Sequence, residues 1–138
     1  KSYRALTKTW FENSSLLEML KKIADSGSCL FLTTDHGTIN VGVPSKVIGD
    51  RETSANLRYK SGKRLQYQVK DVMVMENPEE YFLPAANLTS SFIFAKENLY
   101  LTYPNNYNHF VKYFRDTYQH GGVSMEEMIC PFIRLSPR

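Results

Sequence analysis

FLTTDHGTI, residues 31–39, begins as an apolar run and stops on an acid and an imidazole followed at once by glycine. Residues 29–33 are nearly all apolar, which suits a strand covered on both faces, inside a sheet with helices on either side. Asp35 and His36 at its end are a carboxylate and an imidazole, ligand types that zinc and similar divalent ions take in catalytic sites. A second corner of the same make, His120-Gly121-Gly122, lies far downstream. In both corners the missing Cβ lets the chain and a ligand come close. Asp, His and Gly are also ordinary turn residues, and the long separation of the two corners specifies no geometry between them. The remaining histidine, His109, sits in the helical pattern N-H-F-V-K-Y-F with no acid beside it and reads as a surface or packing residue.

Outward from that stretch, residues 15–25 (SLLEMLKKIAD) place Leu16, Leu20 and Ile23 at helical spacing, with Ser15 and Glu18 in the pattern of a capping box and Gly27 as a stop. Residues 3–11 extend or precede that helix. Residues 38–48 (TINVGVPSKVI) carry a mid-strand Gly and Pro, which predicts an edge or bulged strand. The polar, basic stretch 49–71 has a turn at Ser61-Gly62, then VMVM (72–75) reads as a strand and Asn77-Pro78 as a helix start. SFIFA (91–95) and LYLTY (99–103) read as a hairpin-like pair, followed by a helix around 106–115, a capped turn SMEEM and an apolar strand over 129–135. The expectation is one continuous α/β unit, with 49–104 as an insertion.

The 138 residues are 42% hydrophobic and 22% charged, the composition of an ordinary globular domain and not of a disordered chain. No apolar run is long enough for a membrane span, so no membrane partner is expected. The cysteines, Cys29 and Cys130, lie in apolar contexts without CxxC spacing, which predicts buried thiols in a reduced, cytoplasmic protein. A net charge of +3 permits anionic partners without announcing a nucleic-acid surface. The chain opens on Lys1 and a surface-type helix, as a piece of something longer would.

Arg58, Lys60, Lys63 and Arg64, with Tyr59 and Tyr67 interleaved, form a basic cluster. Such groups hold phosphate oxygens and stack bases; a solvated polar hairpin has the same composition. No nucleophile is evident: Thr33 and Thr34 adjoin the Asp-His pair, but no base or helix start is placed to activate them. A two-metal hydrolase needs at least three protein ligands per ion, and only Asp35, His36 and His120 are offered.

FLTTDHGTI and YQHGGVSMEEMICPFIRLSP (118–137) together resemble the C-terminal portion of the PglZ domain, a branch of the alkaline phosphatase superfamily. The wording of NLRYKSGKRL (56–65) and NLTSSFIFAKENLYLTYP (87–104) is similar to the PglZ domain of PorX-type response regulators. The resemblance implies an α/β fold: the C-terminal part of an alkaline-phosphatase-like sandwich, with a mixed, mostly parallel central sheet and an inserted polar β segment. It implies that residues 1–138 are a C-terminal fragment of that domain. It implies two Zn2+ ions, one held by Asp35 and His36 and the other helped by His120, with no catalytic residue in this chain because the nucleophile lies upstream. The function implied for the parent is zinc-dependent hydrolysis of a phosphodiester or oligonucleotide, in a two-component response regulator linked to type IX secretion. Arg58, Lys60, Lys63 and Arg64 then become candidate substrate contacts, a physical extrapolation that the family motif does not make.

Two other functions fit the same residues. In one the domain is a non-catalytic docking or dimerisation module for a signalling protein partner or a second copy, its surface drawn from the aromatic segment 100–118. In the other, 56–67 alone binds oligonucleotides without metal and with a steep salt dependence. For the isolated fragment the expectation is little activity, weak zinc binding, and self-association through an exposed sheet edge.

Overall fold

The structure, a computed structural model, describes residues 2–84 and 91–137. The chain divides into two compact units, one made of residues 1–34 with 131–138 and the other of 35–130.

The first unit holds helices α1 (Ser2–Glu12) and α2 (Ser15–Asp25) and strands β1 (Leu30–Thr33) and β9 (Phe132–Leu135). The span expected for α2 is the one observed, but its cap is not: Ser14 occupies the cap position, and Glu18 takes Lys21 Nζ at 2.7 Å instead of reaching back. β1 pairs antiparallel with β9, Phe31 opposite Arg134 and Thr33 opposite Phe132. The doubly covered strand expected here is not found. Phe31 is 56% exposed and Phe132 73%, because a two-stranded ribbon cannot bury its own faces. Cys29 is likewise exposed, against the expectation of a buried thiol.

The second unit carries β2 (Ile39–Val41), β3 (Val43–Lys46), β4 (Tyr59–Gly62), β5 (Val72–Met75), β6 (Ser91–Ala95), β7 (Leu99–Thr102), α3 (Tyr107–Phe114), β8 (Thr117–Gln119) and the single turn α4 (Met125–Met128). The stretch 38–48 is not one bulged strand. Gly42 divides it: β2 pairs antiparallel with β8, while β3 runs parallel to β7. β6 and β7 do not form a hairpin with each other, because β6 is the centre of β4-β6-β5 and both its edges are taken. β7 therefore turns away through Lys96–Asn98 and joins β3. The turn expected at Ser61-Gly62 falls later, where Arg64 adopts φ 52°. Pro78–Tyr81 is a short 3-10 turn and not a full helix.

Among the described residues β3–β7 is the parallel pair and the other pairings are antiparallel, so a mostly parallel sheet is not what these residues form. The physical reason is in the connections. Parallel neighbours need long crossovers, whereas β6 is flanked by strands that reach it antiparallel. The core of the second unit is Val47, Val72, Ile93, Ala95 and Leu101, with a second cluster formed by Ile39 and Val41 of β2 together with Tyr100. Tyr100 is fully buried and donates its hydroxyl to Val111 O at 2.8 Å. That bond and the contact of Phe114 with the second cluster hold α3 against β7 and β2. The 49–104 stretch lies within this unit, apart from 85–90, which fall outside the described residues.

Candidate functional site

β2 starts just after Asp35-His36-Gly37 and β8 ends just before His120. Their register places Ile39 opposite Gln119, so the chain entering one strand and the chain leaving the other run together. There the two histidines, remote in sequence, stack with ring centroids 3.8 Å apart and planes 10° from parallel. His36 Nδ1 lies 2.9 Å from Gly37 O. A carbonyl only accepts, so the proton sits on Nδ1, and in the neutral ring Nε2 keeps its lone pair. A bond from the far ring nitrogen to a backbone carbonyl is how metal-ligating imidazoles are oriented. His36 Nε2 is 3.7 Å from Asp35 Oδ1, whose side chain is 90% exposed.

These donors can be tested against a metal ion. Bonds of about 2.0–2.2 Å in a tetrahedral zinc shell set neighbouring donor atoms about 3.3–3.6 Å apart. Asp35 Oδ1 and His36 Nε2 are close to that separation. Lone pairs in the planes of two nearly parallel, stacked rings do not converge on one point, so the His36 and His120 rings do not close on a single ion as they stand. Among the described residues, no group of three or more His, Cys, Asp and Glu side chains is placed to hold an ion. The described residues therefore do not by themselves enclose a metal ion.

What aligns the two corners is a residue that the sequence motifs did not single out for this role. Glu127, 4% exposed on α4, accepts Arg58 Nε at 3.0 Å on Oε1 and Arg58 Nη2 at 3.0 Å on Oε2. The same carboxylate takes the backbone N–H groups of Gly122 at 2.9 Å and Ser124 at 3.3 Å, which fixes the loop carrying His120. Its own carbonyl accepts Gly37 N–H at 2.8 Å, which fixes the loop carrying His36. Both glycines are required by this close approach. A Cβ on Gly37 would stand 1.9 Å from Glu126 O, and one on Gly122 would stand 2.6 Å from Glu127 Oε2. Burial alone would raise the Glu127 carboxyl. The Arg58 hydrogen bond, those from Ser124 and the Gly122 N–H, and the Arg58 charge outweigh it and hold the group below its ordinary value. The S-x-x-E spacing of Ser124 and Glu127 was the one available signal, and it pointed only to a helix cap.

The basic cluster divides. Arg58 is fully buried: besides Glu127 it donates to Ala95 O at 3.1 Å and to Leu99 O, so its guanidinium is spent inside the fold and does not reach a substrate phosphate. Lys60 is 1% exposed, with Nζ 4.3 Å from the centre of the Tyr103 ring. Burial pushes its ammonium down to about 8. Lys63 is half-buried and Arg64 exposed, so these two remain on the surface. The expected surface cluster fails at alternate positions because Arg58, just before β4, and Lys60, within it, lie two residues apart and both turn inward.

Compared with families of known proteins, this chain falls in the alkaline-phosphatase-like class of hydrolase-type domains. It matches the BREX system PglZ alkaline phosphatase-like domain over residues 3–135, and it belongs to that family. No curated relative matches it. Both histidine corners, Glu127 and β9 lie inside the matched span. Among the described residues no helix is long and apolar enough to cross a membrane.

Proposed function

We propose that this chain is the C-terminal part of a zinc-dependent phosphodiesterase, acting on phosphate esters such as oligonucleotides within a cytoplasmic response regulator linked to type IX secretion. The observation that carries the hydrolase reading is the parallel stack of His36 on His120 at 3.8 Å. Two imidazoles brought this close are the kind of neighbouring ligands that a two-metal site for in-line displacement at phosphorus uses. The signalling setting rests on the wording of 56–65 and 87–104 alone.

In this reading Asp35 and His36 hold one ion and His120 contributes to the other. Bound zinc would lower the pKa of a hydroxyl nucleophile and neutralise the phosphoryl oxygens. The Gly37 carbonyl keeps the proton on His36 Nδ1 and so presents Nε2. Glu127 and Arg58 keep the two loops in register. Lys63 and Arg64 are the surface cations left to meet further phosphates of an extended substrate. The remaining ligands and the nucleophile come from residues outside these 138, so the chain by itself turns over little substrate.

The test is hydrolysis of bis(4-nitrophenyl) phosphate by the full-length protein, with and without a zinc chelator, beside His36→Ala and His120→Ala. Turnover abolished by each treatment is expected. A folded, zinc-loaded protein that cleaves neither this ester nor short oligonucleotides would overturn the enzyme and leave the docking module in its place.

A further inference from the structure

A cavity of about 640 Å³ opens in the second unit between the 48–53 loop, the end of β7 and α3. None of Asp35, His36 and His120 lines it. Its volume is that of a pocket for one drug-sized or nucleotide-sized molecule, a class spanning about 300–1,000 Å³. The wall is largely apolar, with Leu57, Leu101, Phe110 and Phe114. Two buried polar side chains interrupt it. Lys60 is 1% exposed, and among the described residues its ammonium has no carboxylate or hydrogen-bond acceptor, only the face of Tyr103. Thr102 is 3% exposed and its Oγ1 has no hydrogen-bond partner. An unpaired buried donor forfeits its hydration without return; Thr102 Oγ1 is such a donor, and Lys60 belongs to the same lining.

Two of the other polar groups at the cavity are already engaged. Tyr103 donates its hydroxyl to Ser54 O at 2.9 Å, and Thr53 Oγ1 donates to Asp50 Oδ1 at 3.1 Å. Asp50 and Arg51 on the rim offset each other, which leaves Lys60 as the net charge of the lining. We propose that this cavity is a second ligand site, separate from the histidine corner, that binds a small molecule bearing one negative charge on an apolar or aromatic body, with Lys60 and Thr102 gripping the anionic head. The depressed ammonium of Lys60, about 8 because of burial, is what a bound anion would restore to its ordinary range. The inference does not rest on the phosphodiesterase reading.

Three probes test it on the full-length protein: 4-biphenylcarboxylate, its neutral amide, and 3′,5′-cyclic AMP as a phosphodiester monoanion. Calorimetry gives affinity, and amide NMR shifts give location. At least one anion should bind saturably, shifting residues 48–53 and 101–105, with the amide at least tenfold weaker than the acid. Chelator should change nothing. Lys60→Met should weaken the anion at least tenfold and leave the amide unaffected, and Thr102→Val should weaken it several-fold. Whichever anion binds identifies the head group. If Lys60→Met does not fold, Thr102→Val and the acid–amide comparison decide. The site is refuted if neither anion binds, if the amide matches the acid, if Thr102→Val binds as the wild type does, or if the shifts fall elsewhere.

Discussion

Replacing Glu127 by glutamine is the sharpest test of how the two histidine corners are held. The carboxylate is a four-acceptor hub, paired twice with a fully buried guanidinium and taking two backbone N–H groups. Glutamine keeps the shape, loses the charge and turns an NH2 toward one of these donors. Leaving the buried Arg58 charge without its carboxylate costs about 3–5 kcal/mol. Removing Arg58 as well, as Arg58→Met with Glu127→Leu, should recover part of that loss, because a buried pair contributes little net stability over an apolar replacement. Recovery will be incomplete by about 1–3 kcal/mol, because the Gly122 and Ser124 N–H groups stay unsatisfied. Urea unfolding followed by far-UV circular dichroism and by amide peaks from 35–130 measures this. Fluorescence of the sole tryptophan will not, since Trp10 lies in the first unit. A Glu127→Gln protein within 1 kcal/mol of the wild type would refute the argument. The carboxyl is held below its ordinary value in the folded state, so its stabilisation is complete above the unfolded pKa of 4.5 and disappears as pH falls through the lower folded one. The wild type should lose this contribution in acid, and Glu127→Gln should have none to lose.

Gly37→Ala should cost about 2–3 kcal/mol, since the new Cβ meets a backbone oxygen that cannot rotate away; a neutral result in thermal melts would show that α4 does not press on the Asp-His corner. Lys60 makes stability rise with alkali: its ammonium is driven from an ordinary 10.5 to about 8, so the unfolded chain binds the extra proton between those values. The rise should total about 3 kcal/mol between pH 8 and 10.5, vanish in Lys60→Met, and be opposed near its upper end by Tyr100 and Tyr103, whose hydroxyls burial raises. A flat wild-type profile by denaturant titration would show that the lysine is hydrated.

Local chemistry was readable wherever a residue acts on its own neighbours. Helix α2, strand β5 and the turn at 125–128 are present where periodicity and turn residues put them, while Asn77-Pro78 opens only a 3-10 turn and the cap of α2 falls on Ser14. The Asp-His-Gly and His-Gly-Gly corners were singled out for the same reason. Pairing was not readable. SFIFA and LYLTY look like a hairpin because a three-residue link permits one; that β6 already has β4 and β5 on its edges is a fact about other segments. Arg58 and Lys60 looked like surface cations because their type is polar, yet register turned both inward, one onto Glu127 and the other into a cavity.

The sequence by itself determined the ligand-type residues, the glycines beside them and the family pattern that joins the two corners, because each is a property of a few adjacent side chains. Only the tertiary structure decided that His36 and His120 stack, that a buried carboxylate from a third element locks both loops, and that Lys60 faces an apolar cavity. Those outcomes depend on strand register and on which groups are removed from water, quantities that no short window of residues contains.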